Sequence, residues 1–205
     1  MKTTFISKCL FVLFVTMTAS FPAKASEQDA LKLQVENLFE ASKKVNASEP
    51  EKEKSRKEID GAIDWDGIAR LCLGEANANK HKGKNFGEFK DLLREVVSKT
   101  AFSRMDKFWA GGTKALIDKV DIQGSQAHVG AKFVSNNETF ALDYYFTKKG
   151  SRWLINDVAY EDMKYSVNIK EQLDAFLKEK PFSELLVKLK KKRDELDKPA
   201  KSKSS

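Results

Sequence analysis

The chain has 205 residues, 33% of them charged, with a net charge of +7, fourteen phenylalanines, two cysteines and two histidines. One cysteine, Cys9, lies in an expected leader, so the mature chain keeps only Cys72 and an intrachain disulfide is excluded. His81 and His128 lack metal-ligand spacing, and the length suits one domain.

The first residues read as a secretory signal. Lys2 and Lys8 give a positive start, residues 9–19 form an apolar stretch too short for a membrane span, and Ala23-Lys24-Ala25 is a small-x-small cleavage site. The sequence therefore divides into a signal peptide at 1–25, cleaved after Ala25, a domain at 26–195 and a flexible basic tail at 196–205. Loss of Lys2, Lys8 and Lys24 lowers the net charge from +7 to +4. Much of the remaining excess lies between Lys188 and Lys203. Export argues against nucleic acid as its partner and favours a solvated helix end.

Leu31, Val35, Leu38 and Phe39 have helical spacing, which predicts an amphipathic helix over 28–45. A short charged helix starts near Ser48 and Pro50. Asp64 caps the next helix, Trp65, Ile68, Ala69 and Leu73 pack, and Gly74 ends it. Cys72, between two leucines, is expected to be a buried structural thiol. Residues 75–85 read as a polar connection that holds His81 among lysines. Phe86, Phe89, Leu92, Leu93, Val96, Val97, Phe102 and Met105 describe a long helix, and Gly111-Gly112 breaks the chain.

Beyond that break the period becomes two. Residues 116–122, 127–134, 139–146 and 152–160 read as four strands, separated by Gln123-Gly124-Ser125, Asn136-Asn137 and Lys149-Gly150-Ser151. Phe140, Leu142, Tyr144 and Phe146 share one strand face, while His128 alternates with apolar neighbours and is expected to face water. Two helices with Pro181 between them close the chain. The expected class is α+β: a single domain with a four-stranded, mainly antiparallel curled sheet against several helices. The aromatic and aliphatic load between sheet and helices serves equally as a packed core or as a pocket, and periodicity does not separate the two.

Residues 140–177 carry a resemblance. Asp143-Tyr144, Trp153, Asp157-Val158, Ser166, Asn168 and Gln172 fall in the order and spacing of the C-terminal core of the MlaC, or toluene-tolerance, family. Asp64-Trp65-Asp66-Gly67-Ile68-Ala69 with Leu73-Gly74 resembles that family's early acidic-aromatic helix, and 89–105 its long central helix. Two departures stand out: Ile169-Lys170 where the family often has Tyr-Arg, and Glu161, Asp162 and Met163 where a glycine is common.

The resemblance implies a hydrophobic lipid pocket and a periplasmic protein that shuttles phospholipid for an ABC transport system maintaining outer-membrane lipid asymmetry. The implied partners are a phospholipid, or another diacyl or hopanoid lipid, an inner-membrane MCE-type ABC transporter complex and an outer-membrane lipoprotein-porin complex. It implies a monomer that is not an enzyme and has no cofactor. Phe102, Met105, Val129, Phe133, Phe140 and Leu142 are expected to line the pocket with Tyr144, Phe146 and Trp153. Ser166, Asn168 and Gln172 are expected at its rim, Asn168 and Gln172 sharing a helix face. A tryptophan at Val129 or Leu142 is expected to fill the space. The alternatives are a non-lipid transporter adaptor with a fully packed interior, or a small α+β enzyme acting on a hydrophobic substrate through Asp143 or Asp157.

Overall fold

A computed structural model of the chain describes residues 23–135 and 138–198. Residues 1–22, 136–137 and 199–205 lie outside the described residues, and with them most of the expected signal peptide, the expected Asn136-Asn137 connection and most of the expected basic tail. In chain order the elements are α1 (Ala23–Ser42), α2 (Glu51–Gly61), α3 (Trp65–Leu73), α4 (Glu75–Lys80) and α5 (Lys84–Trp109). Then follow β1 (Lys114–Gln123), β2 (Gln126–Ser135), β3 (Glu138–Lys149), β4 (Arg152–Tyr160), β5 (Met163–Lys164), α6 (Tyr165–Glu179) and α7 (Phe182–Leu196).

The sheet is an antiparallel meander in the order β1-β2-β3-β4-β5, open at both edges, and the domain is α+β. It has five strands where the pattern predicts four. The fifth is two residues long, too short to leave a period in the sequence. Residues 75–80, predicted as polar connection, form the short helix α4, which buries only Ala78.

The turns follow from local chemistry. Gly124 and Gly150 take φ of 61° and 62° at the first position of two-residue hairpin turns, which suits type II′. Between β4 and β5 both turn residues, Glu161 and Asp162, have positive φ, 49° and 63°. That is the type I′ pattern, held here by two residues that carry a Cβ.

Two apolar clusters form, and they share no buried residue. The first gathers Ala69, Cys72, Leu73, Phe86, Phe89, Leu92 and Leu93 with Leu173, Phe182, Leu185 and Leu186, so α3, α5, α6 and α7 make a helical core. Ion pairs Lys190–Glu88 at 2.5 Å and Arg193–Glu95 at 3.6 Å flank the packing of α7 on α5. The second lies between α1 and the sheet. Leu31, Val35 and Phe39, one face of α1, meet Val129, Ala131, Phe133, Phe146 and Trp153.

The helical layer is fastened along the edge of β4. The Asp64 amide donates to Ile155 O and the Ile155 amide to Ala62 O, both at 2.8 Å, as a short parallel bridge. Asp64 caps α3 through Gly67 N at 3.0 Å and accepts Lys149 Nζ at 2.8 Å. A Cβ at Gly67 would lie 2.3 Å from Asp64 Oδ2, so the capping carboxylate requires glycine there. One strand turn further on, a bulge at Asn156 shifts the register, so that Tyr145 faces Asp157 and Phe146 faces Ile155. The buried Asp157 carboxylate accepts from Ser166 Oγ at 2.5 Å, Ser166 N at 3.1 Å and Val158 N at 2.9 Å, which ties β4 to the start of α6.

Candidate functional site

Helix α5 runs from one apolar cluster to the other. Its first half is anchored in the helical core by Phe86, Phe89, Leu92 and Leu93. Its last turn, Phe108 and Trp109, packs against the sheet cluster. Between these anchors, residues 94–107 include no buried side chain, although Val96, Val97, Ala101, Phe102 and Met105 are apolar. A helix crossing a dry interior buries one face continuously. This one leaves residues 94–107 between the two cores only partly buried or exposed, with Val97 still packed against the helical core.

Tyr144 carries the same signature from the sheet side. Its ring packs 5.9 Å from Phe39 and keeps accessible surface, yet burial pushes the hydroxyl well above the usual tyrosine range. Leu142 and Phe140, on the same face of β3, are likewise only partly buried. At the start of α6, Tyr165 is 46% exposed while burial, and then the neighbouring Cys72, raise its titration.

The expected pocket residues divide into three groups. Phe140, Leu142 and Tyr144 are partly buried and pack against the sheet cluster. Val129, Phe133, Phe146 and Trp153 are buried in the sheet cluster. The Phe133 ring stacks on Phe140 at 5.3 Å, and Trp153 Nε1 donates to Glu27 at 3.2 Å. Their packing partners are protein side chains. Phe102 points elsewhere: the Arg56 guanidinium lies 5.2 Å from its ring, which borders a polar cleft of about 650 Å³ between α2 and α5. Met105 is partly buried on the unburied stretch of α5. A second open cleft, of about 710 Å³, lies between α1, α2 and the β3–β4 turn and is also separate from the space beside α5.

Of the expected rim, Ser166 is a correction. It is buried at 4% exposure with its hydroxyl and amide committed to Asp157, so it fastens the fold from within. Asn168 and Gln172 are exposed and bonded to each other at 2.6 Å. The two aspartates do not meet as a carboxylate pair. Asp157 is satisfied by Ser166 and Val158, and Asp143 accepts from or shares a proton with His128 Nε2 at 2.5 Å. His128 is half-buried against Tyr145 rather than open to water, with ring centroids 5.2 Å apart. His81 lies in the turn that follows α4, as its C-cap, and stacks on Phe182 at 4.0 Å.

Cys72 is fully buried, and burial pushes its thiol up to about 12. Among the described residues, no helix is long and apolar enough to cross a membrane.

Comparison with known proteins follows this geometry. None of the curated proteins compared with the chain matches it. A solved structure of a phospholipid-binding protein from Ralstonia solanacearum, in complex with a phospholipid, superposes with a TM-score of 0.68. The two are 16% identical, and the match covers 83% of this chain and 98% of that one, which establishes a shared fold. The sequence model of the MlaC protein family matches residues 32–191, so nearly the whole described domain is accounted for and the chain belongs to the MlaC family.

Proposed function

We propose that the protein is a periplasmic phospholipid carrier that binds acyl chains between its two apolar clusters and performs no covalent chemistry. The observation that carries this reading is the stretch 94–107 of α5, which includes Val96, Val97, Ala101, Phe102 and Met105 and has no fully buried residue, while Leu142 and Tyr144 on the sheet are also only partly buried. Membership of the MlaC family supports it, as does the fold shared with a protein solved with phospholipid bound.

Acyl chains fill such a space because each buried methylene contributes about 0.8 kcal/mol. Two sixteen-carbon chains offer on the order of 20 kcal/mol gross, enough to hold a lipid after binding costs without a rigid headgroup clamp. The fastening of α6 and α3 along the β4 edge leaves the α5 side as the place where the layers part. The monomer exchanges its lipid with an inner-membrane MCE-type ABC transporter complex and an outer-membrane lipoprotein-porin complex.

The test is native mass spectrometry of protein exported to a bacterial periplasm, followed by lipid extraction. One diacyl lipid per chain, released on unfolding, is the expected result. Leu142→Trp is the informative variant, since Leu142 is only partly buried on the inward face. Val129 is fully enclosed, and a tryptophan there would overpack the sheet core instead. Folded Leu142→Trp protein with undiminished lipid would refute the assigned location, and a parent chain without lipid would refute the carrier reading.

A further inference from the structure

The hairpin of β4 and β5 carries the inner face of the sheet past the helices that cover it. Tyr160 pairs with Leu142 on β3 and with Met163 on β5, and cross-strand partners share a face. Leu142 lies on the face that packs toward α1, so Tyr160 and Met163 lie on it too. Lys164, the next residue, takes the opposite face, its Nζ 4.0 Å from the centre of the Tyr145 ring, as alternation requires. Phe39 of α1 covers Phe133 and Tyr144, and Phe108 of α5 covers Phe133 and Phe140. Neither Tyr160 nor Met163 joins an apolar cluster, and they are 50% and 60% exposed. Exposed apolar side chains grouped on one face are informative where single ones are not. Three exposed carboxylates surround this patch: Glu138 at the start of β3, and Glu161 and Asp162 in the β4–β5 turn. None has an ion-pair partner among the described residues. Glu138 shares the inner face with Phe140 and Leu142 by alternation. Hydrogen bonding to Glu161 and that carboxylate's charge, with Glu138 as a lesser contributor, hold the Tyr160 hydroxyl above the usual tyrosine range. The turn itself is strained, because Glu161 and Asp162 carry a Cβ at φ of 49° and 63°, where Asn-Gly is the relaxed choice. Strain of this kind points to side chains that serve something other than the turn.

We propose that the β4–β5 hairpin, with Tyr160 and Met163 at its centre and Glu138, Glu161 and Asp162 around them, is a docking surface for another protein whose facing surface is apolar in the middle and rimmed by lysine or arginine. Tyrosine and methionine are enriched at the centres of protein interfaces, and methionine adapts its shape to what it meets. The carboxylates fix the sign of the partner, since complementary rim charge speeds encounter and like charge rejects it. The same three acids disfavour an anionic bilayer, whose surface potential is negative. They also disfavour a two-fold contact between copies of this chain, which would set the acids of one hairpin against those of the other. The surface is independent of the carrier reading: a chain with a fully packed interior would present the same patch.

The test is photo-crosslinking in the cells that encode the chain. The full chain is made there with p-benzoylphenylalanine in place of Met163, irradiated, and its adducts are identified by mass spectrometry of the linked peptides. The expected adduct is with one other protein, through a segment that holds apolar residues and a surplus of lysine or arginine. Replacing Glu161-Asp162 by Asn-Gly removes two charges yet suits the turn, so the domain stays folded. That variant is expected to lower the adduct yield roughly fivefold, as for the loss of two rim charges, with no fall in the urea midpoint. The same reagent at Leu33, 57% exposed on α1, should give no such adduct. An adduct yield unchanged in the Asn-Gly variant would overturn the proposal, as would a linked segment without surplus basic residues. Adducts to phospholipid alone would assign the patch to a lipid surface, adducts to a second copy would assign it to self-association, and either would overturn the proposal. The absence of any adduct at Met163 would overturn it as well. Lipid content, read separately by native mass spectrometry, decides the carrier reading and leaves this one untouched.

Discussion

Asp157 offers the sharpest test of how the two layers are joined. Its carboxylate is 5% exposed and accepts three donors, two of them from Ser166, itself 4% exposed. Asp157→Ala leaves those donors without their acceptor at a buried junction. A buried unpaired donor costs about 1–3 kcal/mol, and if water reaches one of the three, the expected loss is about 3 kcal/mol. Asp157→Asn keeps an oxygen for the backbone amides and lets the Ser166 hydroxyl turn to accept, so its loss should be about 1 kcal/mol. Ser166→Ala removes one bond and should cost about 1–2 kcal/mol. Urea unfolding followed by circular dichroism reads these as midpoint shifts. In thermal melts, Asp157→Ala should lower Tm by about 6–12 °C for a domain of this length. The double variant Asp157→Ala with Ser166→Ala should fall short of the sum of the singles by at least about 1 kcal/mol, because the residues share one network. Single losses all below about 0.5 kcal/mol, or strict additivity, would show that this junction does not fasten α6 to β4.

Other expectations are narrower. Replacing Glu161-Asp162 by Asn-Gly should stabilise the domain by about 1 kcal/mol, since both positions have positive φ and side chains with a Cβ disfavour it; an unchanged urea midpoint would contradict the type I′ assignment. His81 titrates below its usual value because burial, in a ring stack on Phe182, and then the charge of Lys80 disfavour the imidazolium. Its folded pKa lies below the unfolded one, so its contribution to stability is full above about pH 6.5 and is lost as pH falls below that value. NMR titration should place its midpoint below 6.5, and Phe182→Ala should move it back up; no movement would separate the shift from the stack. The Cys72 thiol, pushed up to about 12, should resist iodoacetamide at pH 8 until the helical core opens, and rapid labelling of the folded chain would contradict its burial.

Much of the helical core was legible in the sequence because it rests on local rules. Phe86, Phe89, Leu92 and Leu93 announce a helix face by spacing alone, and Asp64 with Gly74 marks the ends of α3 by cap chemistry. The β1–β2 and β3–β4 hairpins follow from alternation and the short turns at Gly124 and Gly150. Two-residue β5 and one-turn α4 have no period to read. β5 exists because β4 supplies partners for its backbone, and α4 closes its own bonds from the Gly74 carbonyl to the His81 amide.

What the sequence by itself determined is therefore the set of amphipathic elements, their order and the family they resemble, since each depends on neighbours a few residues away. What only the tertiary structure decided is which apolar residues enclose one another and which stay partly exposed. Phe133 and Phe102 are the same residue type at equally regular positions. One is enclosed by the sheet cluster and the other lies under Arg56 on the far side of α5. Ser166, read as a rim residue, is drawn inside by Asp157 from another element. Burial is a property of how elements pack, and periodicity specifies a face without specifying what meets it.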